Sequence, residues 1–82
     1  MKVAVLYFAA VRDLVGRDEE TLELPAGVGT IADLAGHLAA LHAPLEGRLG
    51  YVRFARNEEF AHPSDPIADG DTIALIPPVA GG

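Results

Sequence analysis

The spacing of apolar residues changes several times along the chain, and each change predicts a different element. Residues 3–8, VAVLYF, form a short apolar run rich in β-branched and aromatic side chains, which predicts a strand buried on both faces. Apolar residues at i, i+3 and i+4 from Val11 then predict one or two turns of helix, ended by Gly16. The charged residues 17–20 are typical of an exposed turn. Residues 21–24 alternate polar and apolar as a half-buried strand does, and the short connection favours antiparallel pairing with the first strand.

The middle of the chain predicts the main helix. Thr30 and Asp33 have the spacing of a capping box, in which each side chain bonds the backbone N–H of the other. An apolar stripe of helical spacing follows, formed by Ile31, Leu34, Leu38 and Leu41. It ends before Pro44, which cannot continue a helix. A stripe this regular is expected to lie on the face of a sheet.

The second half of the chain predicts three more strands. Residues 51–56 alternate in polarity, 57–59 are typical of a turn, and Phe60 begins a short return strand. A second tight turn is expected at 69–71. Residues 72–76 again form an apolar run of the kind buried on both faces.

Two apolar strands at opposite ends of the chain are expected to be central neighbours. A helix separates them in sequence, so they can pair in parallel. Apart from the short return strand at Phe60, the order is ββαββ, and with one main helix packed across one face of a mixed sheet it predicts an α+β roll of the β-grasp (ubiquitin-like) type. We expect a β-grasp domain over residues 1–76 and an extended tail over residues 77–82.

Composition narrows the class of function. The 82 residues suffice for one small domain, and their net charge of −6 argues against a nucleic-acid or anionic-membrane partner. The chain has no cysteine, which excludes disulfides, thiolate metal sites and a cysteine nucleophile. No apolar run approaches the ~18 residues that a membrane span needs, and the start lacks a signal-peptide pattern. A cytoplasmic protein is expected.

No residue set in the sequence predicts catalysis by the chain alone. On a helix His37 and His42 point apart, and His62 stands by itself in a proline-rich loop, so no metal site is expected. The pairs Glu19–Glu20 and Glu58–Glu59 are adjacent residues, whose side chains point apart on a strand. We expect the histidines to be ordinary surface or half-buried residues and the two carboxylate pairs to form a solvated charged rim.

The C-terminal residues carry the strongest functional signal. Pro77 and Pro78 cannot donate to a sheet ladder and favour an extended path away from the last strand. The following residues taper to Gly81 and Gly82, which have no Cβ to obstruct entry into a narrow channel. A tail of this shape presents its α-carboxylate as the reactive group. That carboxylate must be adenylated by a separate enzyme before it can accept sulfur or acylate an amine.

These residues resemble the MoaD family, the small subunits of molybdopterin synthase. Residues 7–16, YFAAVRDLVG, resemble the opening FFAxVRELVG of that family, and Asn57 follows the third strand. The turn at 69–71 and the ending PPVAGG at 77–82 resemble the family's DGDEVAFFPPVxGG. The resemblance runs over the whole chain, and the PPVxGG ending is more specific than a bare Gly-Gly.

The resemblance implies a sulfur carrier of molybdenum cofactor biosynthesis. An E1-like adenylyltransferase would use ATP to activate Gly82, a sulfurtransferase would help convert it to a thiocarboxylate, and the sulfur would pass to cyclic pyranopterin monophosphate. That transfer would occur in a heterotetramer with the large synthase subunit, and the chain itself would hold no permanent cofactor. The implied partner-binding residues are the tail and three apolar side chains: Pro77, Pro78, Val79, Ala80 and Gly81, with Phe8, Phe60 and Ile76.

Three alternatives stay open at this point. The chain could carry sulfur for thiamine synthesis or tRNA thiolation, although thiamine carriers are typically shorter and lack the Pro-Pro exit. It could be a ubiquitin-like modifier whose Gly82 forms isopeptide bonds with lysines. An enzyme acting alone is disfavoured because no acid, base or nucleophile set is found.

Overall fold

The computed structural model describes residues 1–78, which form an α+β domain, as predicted. Its elements in chain order are β1 (Lys2–Tyr7), α1 (Ala9–Val15), β2 (Glu19–Glu23), α2 (Ile31–Leu41), β3 (Arg53–Arg56), β4 (Glu59–Ala61) and β5 (Thr72–Ile76). Two short 3₁₀ helices, Ala43–Leu45 and Leu49–Tyr51, lie between α2 and β3. In this part of the chain no helix combines the length and the apolarity needed to cross a bilayer.

The five strands form one mixed sheet with the order β2-β1-β5-β3-β4. The central strands β1 and β5 pair in parallel, and the other neighbours pair antiparallel. The two end strands are therefore central neighbours, which confirms the prediction from their apolar runs. Between β3 and β4 the two turn residues Asn57 and Glu58 both have positive φ, as a type I′ hairpin turn requires.

The ends of both helices follow the predicted signals. Gly16 ends α1 in the left-handed conformation, and its N–H donates to the Arg12 carbonyl. At the start of α2, the Thr30 hydroxyl accepts from the Asp33 N–H at 3.2 Å. The Asp33 carboxylate accepts from the Thr30 N–H at 3.2 Å in return, which confirms the capping box.

The apolar stripe of α2 packs on one face of the sheet, but its last member does not. Ile31, Leu34 and Leu38 are buried. Leu41 was expected in the same stripe, yet it is 49% exposed. It is the last residue of α2, and the chain leaves the helical conformation at His42. Leu41 therefore lies beyond the part of the helix that the sheet covers.

The prediction that the two central strands are buried on both faces is wrong. Alternate residues of β1 and β5, namely Val3, Val5, Tyr7, Ile73 and Leu75, pack beneath the helices in one core. Their neighbours Leu6, Ala74 and Ile76 point to the opposite face and are half-exposed. No helix within residues 1–78 covers this second face, which we call the outer face. After their polar first residues, Lys2 and Thr72, both strands are apolar on both faces, although the described fold buries only one face of each.

Two smaller expectations also need correction. Tyr51 was expected in a strand, but it ends the second 3₁₀ helix and is 78% exposed. The exposed turn expected at 17–20 is shorter, because β2 begins at Glu19. Glu20 consequently points into the inner side of the sheet, opposite Val5.

Candidate functional site

The outer face carries a row of apolar residues that crosses four strands. Backbone pairing aligns Leu6 with Ala74, Ala74 with Ala55, and Ala55 with Phe60. Paired residues share a face of a sheet, so the two alanines lie between the larger Leu6 and Phe60 side chains. Small residues flanked by large ones leave a hollow rather than a flat surface.

The structure brings together the three apolar residues predicted to bind partners. Phe8 is 45% exposed, Phe60 is 59% exposed, and Ile76 is half-buried. All three line a single hollow of about 280 Å³, which we call the outer-face depression. Its complete lining is Leu6, Phe8, Ala55, Glu58, Phe60, Thr72, Ala74 and Ile76. Exposed apolar surface of this kind is typical of a docking site.

Arg53 places a positive charge on the outer face. Its guanidinium carbon lies 3.9 Å from the centre of the Phe60 ring, in a cation–π contact. Arg53 pairs with Ile76, so it lies at the end of the face from which the tail departs. Phe60 is therefore held by a neighbour on its own face rather than by the core.

The predicted tail begins at the edge of this depression. β5 ends at Ile76, and Pro77 and Pro78 follow it outside any helix or strand. The Phe8 N–H donates to the Leu75 carbonyl at 3.3 Å, which ties the end of β1 to the end of β5. The remaining predicted tail residues, Val79, Ala80, Gly81 and Gly82, lie outside the described residues, so the predicted division at Ile76 stays a prediction.

Asp71 holds the strands of the outer face in register. It is 7% exposed, and its carboxylate accepts from Arg56 Nε at 2.6 Å, Asn57 Nδ2 at 3.0 Å and the Ala68 N–H at 2.7 Å. Burial would raise the pKa of Asp71, but these bonds outweigh it and lower the pKa below 3.8. The side-chain oxygen Oδ1 of Asn57 accepts from the Thr72 N–H at 2.9 Å, so the same cluster ties the β3–β4 turn to β5.

The turn at 69–71 is therefore a structural motif. Gly70 has φ of 87°, a conformation that favours glycine, and its N–H donates to the Lys2 carbonyl at 2.7 Å. Asp69 accepts from the Lys2 N–H at 2.7 Å. These bonds attach the start of β1 to the start of β5. The family-like pattern at these residues is explained by the fold and needs no ligand.

A polar cluster that the sequence did not predict lies on the inner side of the sheet. Glu20, expected on a solvated rim, has a side chain only 10% exposed. It accepts a hydrogen bond from the Tyr7 hydroxyl, lies 2.5 Å from His42 Nε2 and pairs with Arg17. Burial would raise the pKa of Glu20, but the hydrogen bonds from Tyr7 and His42 and the charges of His42 and Arg17 lower it overall. Burial and the Glu20 carboxylate raise the pKa of Tyr7, which keeps its hydroxyl protonated as a donor.

The three histidines are surface or half-buried residues, as predicted, but the contact of His42 with Glu20 was not predicted. His37 and His42 are half-buried, and His62 is exposed. Among residues 1–78, no group of three or more His, Cys, Asp or Glu side chains could hold a metal ion.

Leu6 and Ala74 line the outer-face depression but were not predicted as site residues. The apolar runs at residues 3–8 and 72–76 contain the signal that could have identified them. Parallel pairing of these two runs places Leu6 beside Ala74.

Comparison with known proteins identifies the family of this chain. A ThiS family model matches residues 5–82. The molybdopterin synthase sulfur carrier subunit of Chlamydomonas reinhardtii is 42% identical, and the match covers 100% of both chains. The subunit of that name in Escherichia coli is 38% identical over 98% of this chain and 99% of its own.

Solved structures share the fold. SAMP1 from Haloferax volcanii has a TM-score of 0.87 and 28% identity, with 100% of both chains covered. Subunit 1 in a complex with subunit 2 of molybdopterin-converting factor from Helicobacter pylori has a TM-score of 0.70 and 25% identity, again over 100% of both chains. A ubiquitin from Caldiarchaeum subterraneum, 18% identical with a TM-score of 0.62, shows the fold to be ubiquitin-like. The β-grasp prediction is confirmed. The chain belongs to the ThiS family and groups with its molybdopterin synthase sulfur carrier subunits.

Proposed function

We propose that this chain is the sulfur carrier subunit of molybdopterin synthase. One observation carries the proposal: the outer-face depression leads directly to Pro77, the base of a Gly-Gly tail, in a chain 42% identical to a curated carrier over its full length. The outer face would dock the chain, and the tail would deliver its terminal carboxyl group to the active site of the partner.

The proposed chemistry takes place at Gly82. Its carboxylate attacks the α-phosphate of ATP, which forms an acyl adenylate and releases pyrophosphate. A sulfur nucleophile at the oxidation level of sulfide then displaces AMP and leaves a thiocarboxylate. This sulfur passes to cyclic pyranopterin monophosphate and becomes part of the dithiolene of molybdopterin.

The chain supplies the carrier, and its partners supply the active sites. We propose an E1-like adenylyltransferase that uses ATP, a sulfurtransferase, and a large synthase subunit in a heterotetramer, all in the cytoplasm. The complex of subunits 1 and 2 from H. pylori supports the large-subunit partner. A phosphate-bearing pterin needs cationic ligands, and the six Lys and Arg against twelve Asp and Glu of this chain leave that task to the partner. The charge of −6 would steer the carrier toward such a positive surface.

A second candidate function is protein modification. SAMP1 of H. volcanii, a protein also described as small archaeal modifier protein 1, has a fold that matches at a TM-score of 0.87. A modifier would use the same adenylated Gly82 to form an isopeptide bond with a lysine. Conjugates of higher mass that disappear when Gly82 is deleted would favour this function.

An intact mass spectrum tests the proposed function. The chain is incubated with its adenylyltransferase, ATP and a sulfur donor, with the Gly82 deletion as control. We expect a mass gain equal to the exchange of one oxygen for sulfur in the wild type and no gain in the control. Adding the large subunit and the pterin precursor should return the mass to its starting value as molybdopterin forms. An unchanged mass with an enzyme of demonstrated activity would contradict the proposal.

A further inference from the structure

A second apolar hollow lies at the base of the predicted tail and shares no lining residue with the outer-face depression. It has a volume of about 250 Å³, and we call it the tail-base groove. Its main lining residues are Val11, Leu14, Leu45, Leu49, Tyr51 and Pro78. None of these six residues lines the outer-face depression.

The local fold builds this groove as an open notch. Val11 and Leu45 are 2% and 0% exposed and form its floor. Leu14 and Leu49 are half-buried, and Tyr51 stands beside them at 78% exposure. Tyr51 is the most exposed large apolar residue among residues 1–78, and it does not line the outer-face depression. A volume of about 250 Å³ is below the usual range of small-molecule sites, so the notch suits one or two side chains of a protein better than a metabolite.

The length of the predicted tail limits which part of a partner protein can approach this notch. Gly82 lies four residues after Pro78, so an extended tail reaches only about 13 Å beyond it at ~3.3 Å per residue. If the carboxyl group of Gly82 enters a buried active site, Pro78 must sit close to the mouth of the channel. Pro78 is itself part of the groove lining, so the rim of the channel must come close to the groove.

We propose that the tail-base groove receives an apolar side chain from the rim of the tail channel of the large synthase subunit. This inference rests on the proposed function and adds a second contact surface to it. The large subunit is chosen because a chain of this fold is seen in complex with subunit 2 of molybdopterin-converting factor. Tyr51 would pack against the incoming side chain, and Arg48, which also lines the groove, would bond an acceptor on the rim.

Binding of Tyr51→Ala to the cognate large subunit, measured by titration calorimetry, tests the groove. Leu41→Ala is the matched control, because Leu41 is also a large exposed apolar residue, at 49%, and lines neither hollow. We expect Tyr51→Ala to raise the Kd about tenfold, as truncation of an aromatic anchor does, and Leu41→Ala to change it less than twofold. Thermal unfolding should show that both variants remain folded.

Two readouts separate this inference from the proposed function. The formation rate of the Gly82 adenylate should be the same in Tyr51→Ala and the wild type, since the groove is assigned to the large subunit. Equal Kd values for Tyr51→Ala and Leu41→Ala would overturn the inference, and so would a loss of adenylation equal to the loss of binding. Neither result affects the proposed function, which fails only if the wild-type chain gains no sulfur in the mass spectrum.

Discussion

Asp71 offers the sharpest test of how the outer face is held in place. Substitution by Asn keeps the size of this side chain, removes its charge and places an amide N–H₂ among three donors. Those donors are Arg56 Nε, Asn57 Nδ2 and the Ala68 N–H. A hydrogen bond to a charged group contributes about 1.5–3 kcal/mol, and such bonds are not additive within one cluster. The Arg56 side chain is 34% exposed, so water replaces part of its lost bond.

We therefore expect Asp71→Asn to lower the free energy of unfolding by about 2–3 kcal/mol at pH 7. In an 82-residue domain this corresponds to a fall in Tm of roughly 10–20 °C. Urea and thermal unfolding followed by circular dichroism measure both quantities. Asp69→Asn is the matched control in the same turn, because Asp69 is exposed and accepts one bond, from the Lys2 N–H. Asp69→Asn should lower the free energy of unfolding by less than about 0.5 kcal/mol.

The pH dependence provides an independent check on the same variant. The pKa of Asp71 is lowered in the folded protein from its ordinary value of 3.8, so the unfolded chain binds the proton more readily. The stabilisation by Asp71 is therefore fully present above pH 3.8 and is lost as the pH falls through the lower folded pKa. The difference between wild type and Asp71→Asn should be constant from neutral pH to about pH 5 and shrink below pH 4. This account would be refuted if Asp71→Asn and Asp69→Asn lowered the free energy of unfolding equally. It would also be refuted if the difference in stability between wild type and Asp71→Asn did not depend on pH.

Three further predictions concern the tail, the outer face and the core. Deleting Gly82, or adding one residue after it, should leave the circular dichroism spectrum unchanged and abolish sulfur incorporation in the intact mass spectrum. Sulfur incorporation by either variant would exclude Gly82 as the reacting group. Phe60→Ala should change the free energy of unfolding by no more than about 1 kcal/mol, because Phe60 is 59% exposed and its cation–π contact with Arg53 is a surface contact, yet raise the Kd for the large subunit about tenfold. An unchanged Kd would remove Phe60 from the docking surface. Leu38→Ala should lower the free energy of unfolding in urea by roughly 2–5 kcal/mol, because Leu38 is 0% exposed in the core. A decrease of less than about 1 kcal/mol would contradict the placement of Leu38 in the core.

Local signals in the sequence predicted the elements well because each depends on a few neighbouring residues. The capping box at Thr30 and the left-handed Gly16 need only the backbone beside them. Such signals do not depend on how distant parts of the chain pack, so the single sequence was sufficient.

The burial of the central strands could not be predicted in the same way. An apolar run indicates that both faces avoid water, but not whether the covering surface belongs to the same chain. Leu6 and Ile76 were assigned to a core and instead lie half-exposed on the outer face. If the proposed function is correct, a partner covers them, and the apolar run is explained by the complex rather than by the isolated domain. The same reasoning explains why Phe8 and Phe60 were identified by family resemblance and not by periodicity.

Long-range polar contacts were the other missed class. Glu20 belongs to a charged run that is typical of an exposed turn, and nothing near it in sequence shows that Tyr7 and His42 will meet it. These residues are 13 and 22 positions away from Glu20. The structure shows that Glu20 is part of the inner side of the domain, where its two hydrogen bonds compensate for burial.

The central position of β5 in the sheet holds the base of the predicted tail at a fixed place relative to the docking surface. β5 pairs with β1 on one side and with β3 on the other, so it is a central strand of the sheet. Its inward residues Ile73 and Leu75 are fully buried, while the alternate residues Ala74 and Ile76 line the outer-face depression. A tail attached to an edge strand would loosen whenever that edge frayed, since fewer backbone bonds hold it. Attachment to a central strand instead fixes the distance between the docking surface and Pro77. Gly82 lies five residues after Pro77, so under the proposed function that fixed distance would determine how deep the carboxyl group of Gly82 reaches into a partner.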